Sequence, residues 1–125
     1  MNARILIVDD NATNLKLAAE VLELEGYSVM RAMDAEDAIV KLQECLPDLI
    51  LMDIALPGMD GLSLTRLIKT DPRTRSVPVI ALSAFAMKGD EEKALAAGCN
   101  GYITKPISTR NFPAQILAYL QRNNK

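Results

Sequence analysis

Four short apolar runs in this chain each stop at a reactive polar side chain, and few folds can accommodate that pattern four times. Residues 4–8 run into Asp9 and Asp10, 49–52 into Asp53, 77–82 into Ser83, and 102–104 into Lys105, with Pro106 next. In an all-parallel sheet the carboxyl ends of the strands share one rim, and ligands of open α/β sheets bind just outside it. Three carboxylates, one hydroxyl and one ammonium, far apart in sequence, would then converge. Such a set suits a divalent cation and a phosphoryl group.

Between the runs the apolar spacing becomes helical. Leu15, Ala18, Ala19 and Leu22 mark a first helix, with Gly26 as its expected C-terminal cap. Residues 27–32 predict a second strand. Asp34 is placed to cap a second helix with Ala38, Ile39, Leu42 and Cys45 on one face, broken by Pro47-Asp48. Leu64, Leu67 and Ile68 mark a third helix, ended by Asp71-Pro72. Asp90, Glu91 and Glu92 suit the positive N-terminus of a short fourth helix that Gly98 ends. Phe112, Ile116, Leu117 and Leu120 mark a fifth helix. Pro113 falls inside that pattern, where proline removes a hydrogen bond, so the regular helix is predicted to start near Asn111 or Phe112.

The product is five βα units. Strands 1, 3 and 4 read as nearly continuous Ile/Leu/Val, as expected for parallel strands buried on both faces. The expected fold is a flavodoxin-like (βα)5 doubly wound sheet of strand order 2-1-3-4-5, as one domain over residues 1–125. That order sets strands 1 and 3 side by side, so Asp9, Asp10 and Asp53 become neighbours.

Composition excludes several classes. Fourteen basic residues against sixteen acidic ones leave a net charge of −2, with no basic stripe for nucleic acid. No apolar run approaches the roughly 20 residues of a membrane span, and the N-terminus leads straight into a strand without signal-peptide features. The expected location is the cytoplasm. There is no histidine, which removes the commonest general base and makes zinc ligation by Cys45 and Cys99 an unsuitable reading. Both cysteines are expected to be small buried apolar residues in a reducing compartment.

Taken singly, the rim residues have plain readings: a solvated turn for Asp9-Asp10, a helix cap for Ser83, a surface ammonium for Lys105. Asp53 resists one, because a carboxylate directly after a buried strand loses solvation unless it is paired. Together the motifs are specific. Ile-Leu-Ile-Val-Asp-Asp-Asn (5–11), Pro-Asp-Leu-Ile-Leu-Met-Asp (47–53), Leu-Pro-Gly-Met-Asp-Gly (56–61), Ala-Leu-Ser-Ala (81–84), Ala-Gly-Cys-Asn-Gly-Tyr (97–102) and Lys-Pro-Ile (105–107) resemble the response-regulator receiver domain over the whole chain. The run 84–92 looks most like single-domain receivers of the DivK type, and similar runs occur in receivers attached to hybrid kinases.

The resemblance implies a two-component phosphorylation switch rather than an enzyme with separate turnover. Asp53 would accept a phosphoryl group from a phosphohistidine on a histidine kinase or a histidine phosphotransfer protein. Asp10 and Asp53 would ligate Mg²⁺ directly, or Mn²⁺ in its place, with Asp9 acting mainly through water and the Ala55 backbone carbonyl adding an oxygen. Lys105 would stabilise charge on the transferring group. Ser83 and Tyr102 would form the switch, changing the face made by the fourth helix, fifth strand and fifth helix that meets a downstream protein. No output module is expected after residue 125. Ala55 and Phe85 offer no polar group to orient water, so slow hydrolysis of the acyl phosphate is expected. The Lys105–Pro106 bond is cis in the family and expected so here. Gly58 and Gly61 are expected to serve the loop beside the acceptor through positive φ.

Four other readings compete. A receiver cut from a hybrid histidine kinase, or one serving as a phosphorelay intermediate, would share every motif. A Mg²⁺-dependent phosphatase of the haloacid dehalogenase type usually carries a second Asp two residues after its nucleophile, where this chain has Ala55. A flavodoxin needs phosphate donors in its first loop, which here is acidic, and an indole to stack on flavin, whereas the chain has no Trp. A scaffold that is never phosphorylated would not need the complete set of site residues.

Overall fold

Strands β1 (Arg4–Val8), β2 (Ser28–Ala32), β3 (Leu49–Asp53), β4 (Val79–Ser83) and β5 (Gly101–Thr104) pair in parallel in the order β2-β1-β3-β4-β5. The computed structural model describes residues 3–56, 58–83, 89–105 and 107–123. Helices α1 (Ala12–Leu24), α2 (Ala35–Glu44), α3 (Gly61–Thr70), α4 (Asp90–Ala97) and α5 (Phe112–Asn123) alternate with the strands. This is the flavodoxin-like arrangement that the five βα units predict. β3 and β4 are buried at every position, as their unbroken apolar sequences require, while edge strand β2 is mostly exposed or half-buried.

Side chains alternate across the sheet, and the core divides accordingly. Ile5, Ile7, Leu49, Leu51, Ile80 and Leu82 pack with α1 and α5. Leu6, Val8, Ile50, Met52, Val79 and Ala81 pack with α2, α3 and α4.

Local chemistry sets the boundaries. The Asn11 side chain accepts from Asn14 N and caps α1, Asp34 caps α2 through Asp37 N, and Asp60 caps α3 through Ser63 N. Gly26 and Gly98 have φ of +93° and +110° and end α1 and α4 with the same paired turn. In α1 that turn uses Tyr27 N, bonded to Leu22 O at 3.2 Å. Tyr27 is thereby taken from the sheet, so β2 starts at Ser28 rather than at residue 27. Pro78 has no N–H, and Val77 N bonds Thr74 O, so β4 starts two residues later than its apolar run. Pro113 lies in the first turn of α5, which begins at Phe112 after a turn at residues 109–111. Cys99 is buried as expected, whereas Cys45 is only partly buried. It lies just past α2, where the Arg4 guanidinium donates to its sulfur, because the chain has already turned toward β3.

Candidate functional site

Register builds the site. Val8 pairs with Met52, so one further step places Asp9 beside Asp53, and Asp9 N extends the ladder to Ala32 O at 3.0 Å. Ser83 pairs with Thr104, and Lys105 N bonds Ser83 O at 2.7 Å, which brings Lys105 to the same rim. Asp9, Asp53 and Lys105 continue the alternation that carries Ile7, Leu51 and Ile103 into the α1/α5 face. Ser83 continues that of Val79 and Ala81, toward the α2–α4 face, and half-buried Tyr102 packs against the same cluster. Ser83 and Tyr102 thus share one face, and Asp9, Asp53 and Lys105 share the other.

The polar contacts are short. Lys105 Nζ donates to Asp9 Oδ2 at 2.8 Å and to Asp53 Oδ2 at 3.3 Å. Asn11 N donates to Asp9 Oδ1 at 2.9 Å, and Ala55 N donates to Asp53 Oδ1 at 3.0 Å. Asp9, Asp53 and Ser83 are 1%, 5% and 1% exposed, whereas Asp10 is exposed. Burial pushes the Asp9 carboxyl above its usual range, against the Lys105 and Asn11 hydrogen bonds, and the charge of Asp53 adds to the rise. Burial alone would lower the Lys105 ammonium, but the bond and charge of Asp9, joined by Asp53, outweigh it and raise Lys105.

Carboxylate oxygens of Asp9, Asp10 and Asp53 lie within 4.8 Å of one another. An all-oxygen donor set of this kind fits a hard divalent cation. Asp9 already accepts at both oxygens, while Asp10 faces solvent at the cluster's edge. Ala55 is exposed beside Asp53.

One expectation changes. Gly58 has φ +70°, as expected, but Gly61 has no positive φ; it is needed for lack of space, as the first residue of α3. Ser83 ends β4. Phe85 and the Lys105–Pro106 bond lie outside the described residues. The Asn11 amide that holds Asp9 has no sequence signal, because a backbone donor carries no side-chain mark.

No described helix is long and apolar enough to cross a membrane. The family model of the response regulator receiver domain matches residues 5–117. The chain is 46% identical over 120 residues to the polar-differentiation response regulator DivK of Brucella ovis, covering 96% of this chain and 98% of that one. A CheY-like response regulator receiver domain protein from Methanospirillum hungatei JF-1 superposes with a TM-score of 0.89 at 31% identity, over 98% of this chain and 97% of that one. The signal receiver domain of a signal transduction histidine kinase from Syntrophus aciditrophicus gives 0.82 at 31% identity, over 97% and 89%. With a matching sequence model, a matching sheet order and an acidic cluster at the strand ends, the chain belongs to the response regulator receiver family, whose domain is a phosphoacceptor, and it is a two-component response regulator.

Proposed function

We propose that Asp53 is the phosphoacceptor, on one observation above the others: of the two buried carboxylates that share the acidic cluster and the Lys105 ammonium, Asp9 is clasped at 2.8 Å, whereas Asp53, at the end of the central strand β3, is held more loosely at 3.3 Å. An Asp53 oxygen attacks phosphorus of a phosphohistidine. The P–N bond breaks, its electron pair returns to the imidazole nitrogen, which takes up a proton, and an acyl phosphate forms on Asp53. Three carboxylates against one ammonium leave two negative charges if all are ionised, which a divalent cation balances. Mg²⁺, or Mn²⁺ in its place, would supply charge neutralisation for the incoming phosphoryl oxygens. Asp10, Asp53 and the Ala55 carbonyl would hold it directly, and Asp9 through water. The shorter Lys105 contact at Asp9, 2.8 Å against 3.3 Å at Asp53, supports that division.

Lys105 is already aimed at Asp53 and holds position for a phosphoryl oxygen. Ser83 donates to another and moves toward the acceptor. Tyr102, on the same face of the sheet, turns into the space released. The α4-β5-α5 surface then changes for a downstream protein. The domain occupies residues 1–125, works in the cytoplasm, takes its phosphoryl group from a histidine kinase or histidine phosphotransfer protein, and turns over no separate substrate. The likeness to a histidine-kinase receiver supports a second reading, in which the chain is the receiver part or relay step of a hybrid kinase.

The test is intact-mass measurement after incubation with acetyl phosphate, with and without Mg²⁺, beside Asp53→Ala. A Mg²⁺-dependent gain of one phosphoryl group, absent in the variant, is expected. No gain, together with no beryllofluoride-induced shift of the Ser83 and Tyr102 amide signals, would end the proposal.

A further inference from the structure

Gly61 opens α3 where helix and acceptor strand meet backbone to backbone. A Cβ there would collide with the Asp53 carbonyl oxygen and stand 2.7 Å from Ile54 Cα and 2.9 Å from the Asp53 carbonyl carbon. All three neighbours are main chain, so no side chain can swing aside. The turn is also bonded in place. Gly61 N donates to Ile54 O at 3.3 Å, the buried Thr65 hydroxyl donates to Gly61 O at 2.8 Å, and Asp60 caps the helix. The peptide beneath it joins Asp53 to Ile54, and the next amide, Ala55 N, holds the Asp53 carboxylate.

We propose that Gly61 is a positioning residue: its missing side chain lets the first turn of α3 rest directly on the Asp53–Ile54 peptide, and that contact sets the aim of the Asp53 carboxylate and of Ala55 toward the cation. The inference rests on the reading of Asp53 as acceptor and cation ligand. Glycine weakens a helix, so its presence here exchanges helix stability for approach. A methyl group at this position would push the acceptor turn outward, and metal affinity falls when the supports of its ligands move.

The experiment compares Gly61→Ala with Gly98→Ala. Gly98 has φ +110° and a Cβ there would meet Lys69 Cγ at 2.8 Å, so Gly98→Ala is strained at the end of the sheet away from the rim. Mg²⁺ affinity is read by calorimetric titration, and the Ile54 and Ala55 amide signals are recorded in the metal-free proteins. Gly61→Ala is expected to displace both amide signals before Mg²⁺ is added and to weaken Mg²⁺ binding by about tenfold or more. Gly98→Ala should lose stability with Mg²⁺ affinity unchanged. Unaltered affinity in Gly61→Ala overturns the inference. If that variant does not fold, Thr65→Val removes the hydroxyl bond that steadies the Gly61 carbonyl without adding atoms at the contact; it should displace the Ile54 and Ala55 amide signals and weaken Mg²⁺ binding, and unaltered signals and affinity there overturn the inference equally. A wild-type chain that binds no Mg²⁺ overturns the acceptor reading itself, and this inference with it.

Discussion

Helices α1 and α4 flank the same rim and are held very differently. α1 has thirteen residues, a side-chain cap from Asn11, and Leu15, Ala18, Ala19 and Leu22 buried. α4 has eight residues from Asp90, and the Gly89 before it has φ +133° and makes no side-chain cap. Its buried residues among those described are Ala94 and Ala97, while Leu95 is 51% exposed. At roughly 0.8 kcal/mol per buried methylene, each leucine in α1 contributes about 2 kcal/mol more than an alanine in α4. The difference follows the division of labour. The side that holds the charges must keep three carboxylates close against their repulsion, so it is firmly built. In the proposed switch the responding side must shift for the free energy of a few hydrogen bonds, and α4 on that side is lightly held.

Three measurements would break or sharpen this contrast. Leu22→Ala should cost the most, about 3 kcal/mol in chemical denaturation, because a fully buried leucine leaves a cavity under α1. Ala94→Gly should cost less, roughly 1.5 kcal/mol, from helix propensity and one lost methyl. It should also expose the Cys99 thiol to alkylation faster than global unfolding allows. Equal costs for the two substitutions, or Cys99 labelling only at the global unfolding rate, would mean that α4 is held as tightly as α1.

The smallest effect concerns pH. Burial raises the Cys99 thiol above its ordinary 9.0, against the Thr65 hydrogen bond and the Lys69 charge. Above pH 9.0 the unfolded thiol ionises while the folded one keeps its proton. The folded state then binds more protons, and stability falls as pH rises through that window. Cys99→Ala should lose less stability than wild type between pH 9 and the folded thiol's pKa. Parallel pH profiles would show that the thiol is solvated in the folded ensemble, and so that the α4–β5 junction opens readily.

Much of the fold was legible because strand burial writes itself into composition. β3 and β4 are apolar along their length since both faces are covered, and Asp34 and Gly98 cap helices because their chemistry allows little else. Tyr27 looks like a strand residue in sequence but is not one, because a backbone bond to Leu22 O, which leaves no side-chain signature, competes for its N–H. Composition cannot distinguish the inside of a helix from its end, so it carries no sign that Cys45 is only partly buried.

The sequence by itself determined which chemical groups stand at the strand ends, since an apolar run that stops at Asp53 or Lys105 can stop nowhere else. Tertiary structure alone decided how those groups meet. Parallel register set Asp9 beside Asp53, pleat parity sent Ser83 and Tyr102 to the opposite face, and a backbone contact at Gly61 placed α3 on the Asp53–Ile54 peptide. The reason is physical. Side-chain identity is local and is written in the chain, whereas register, parity and close approach are relations between segments that only packing creates.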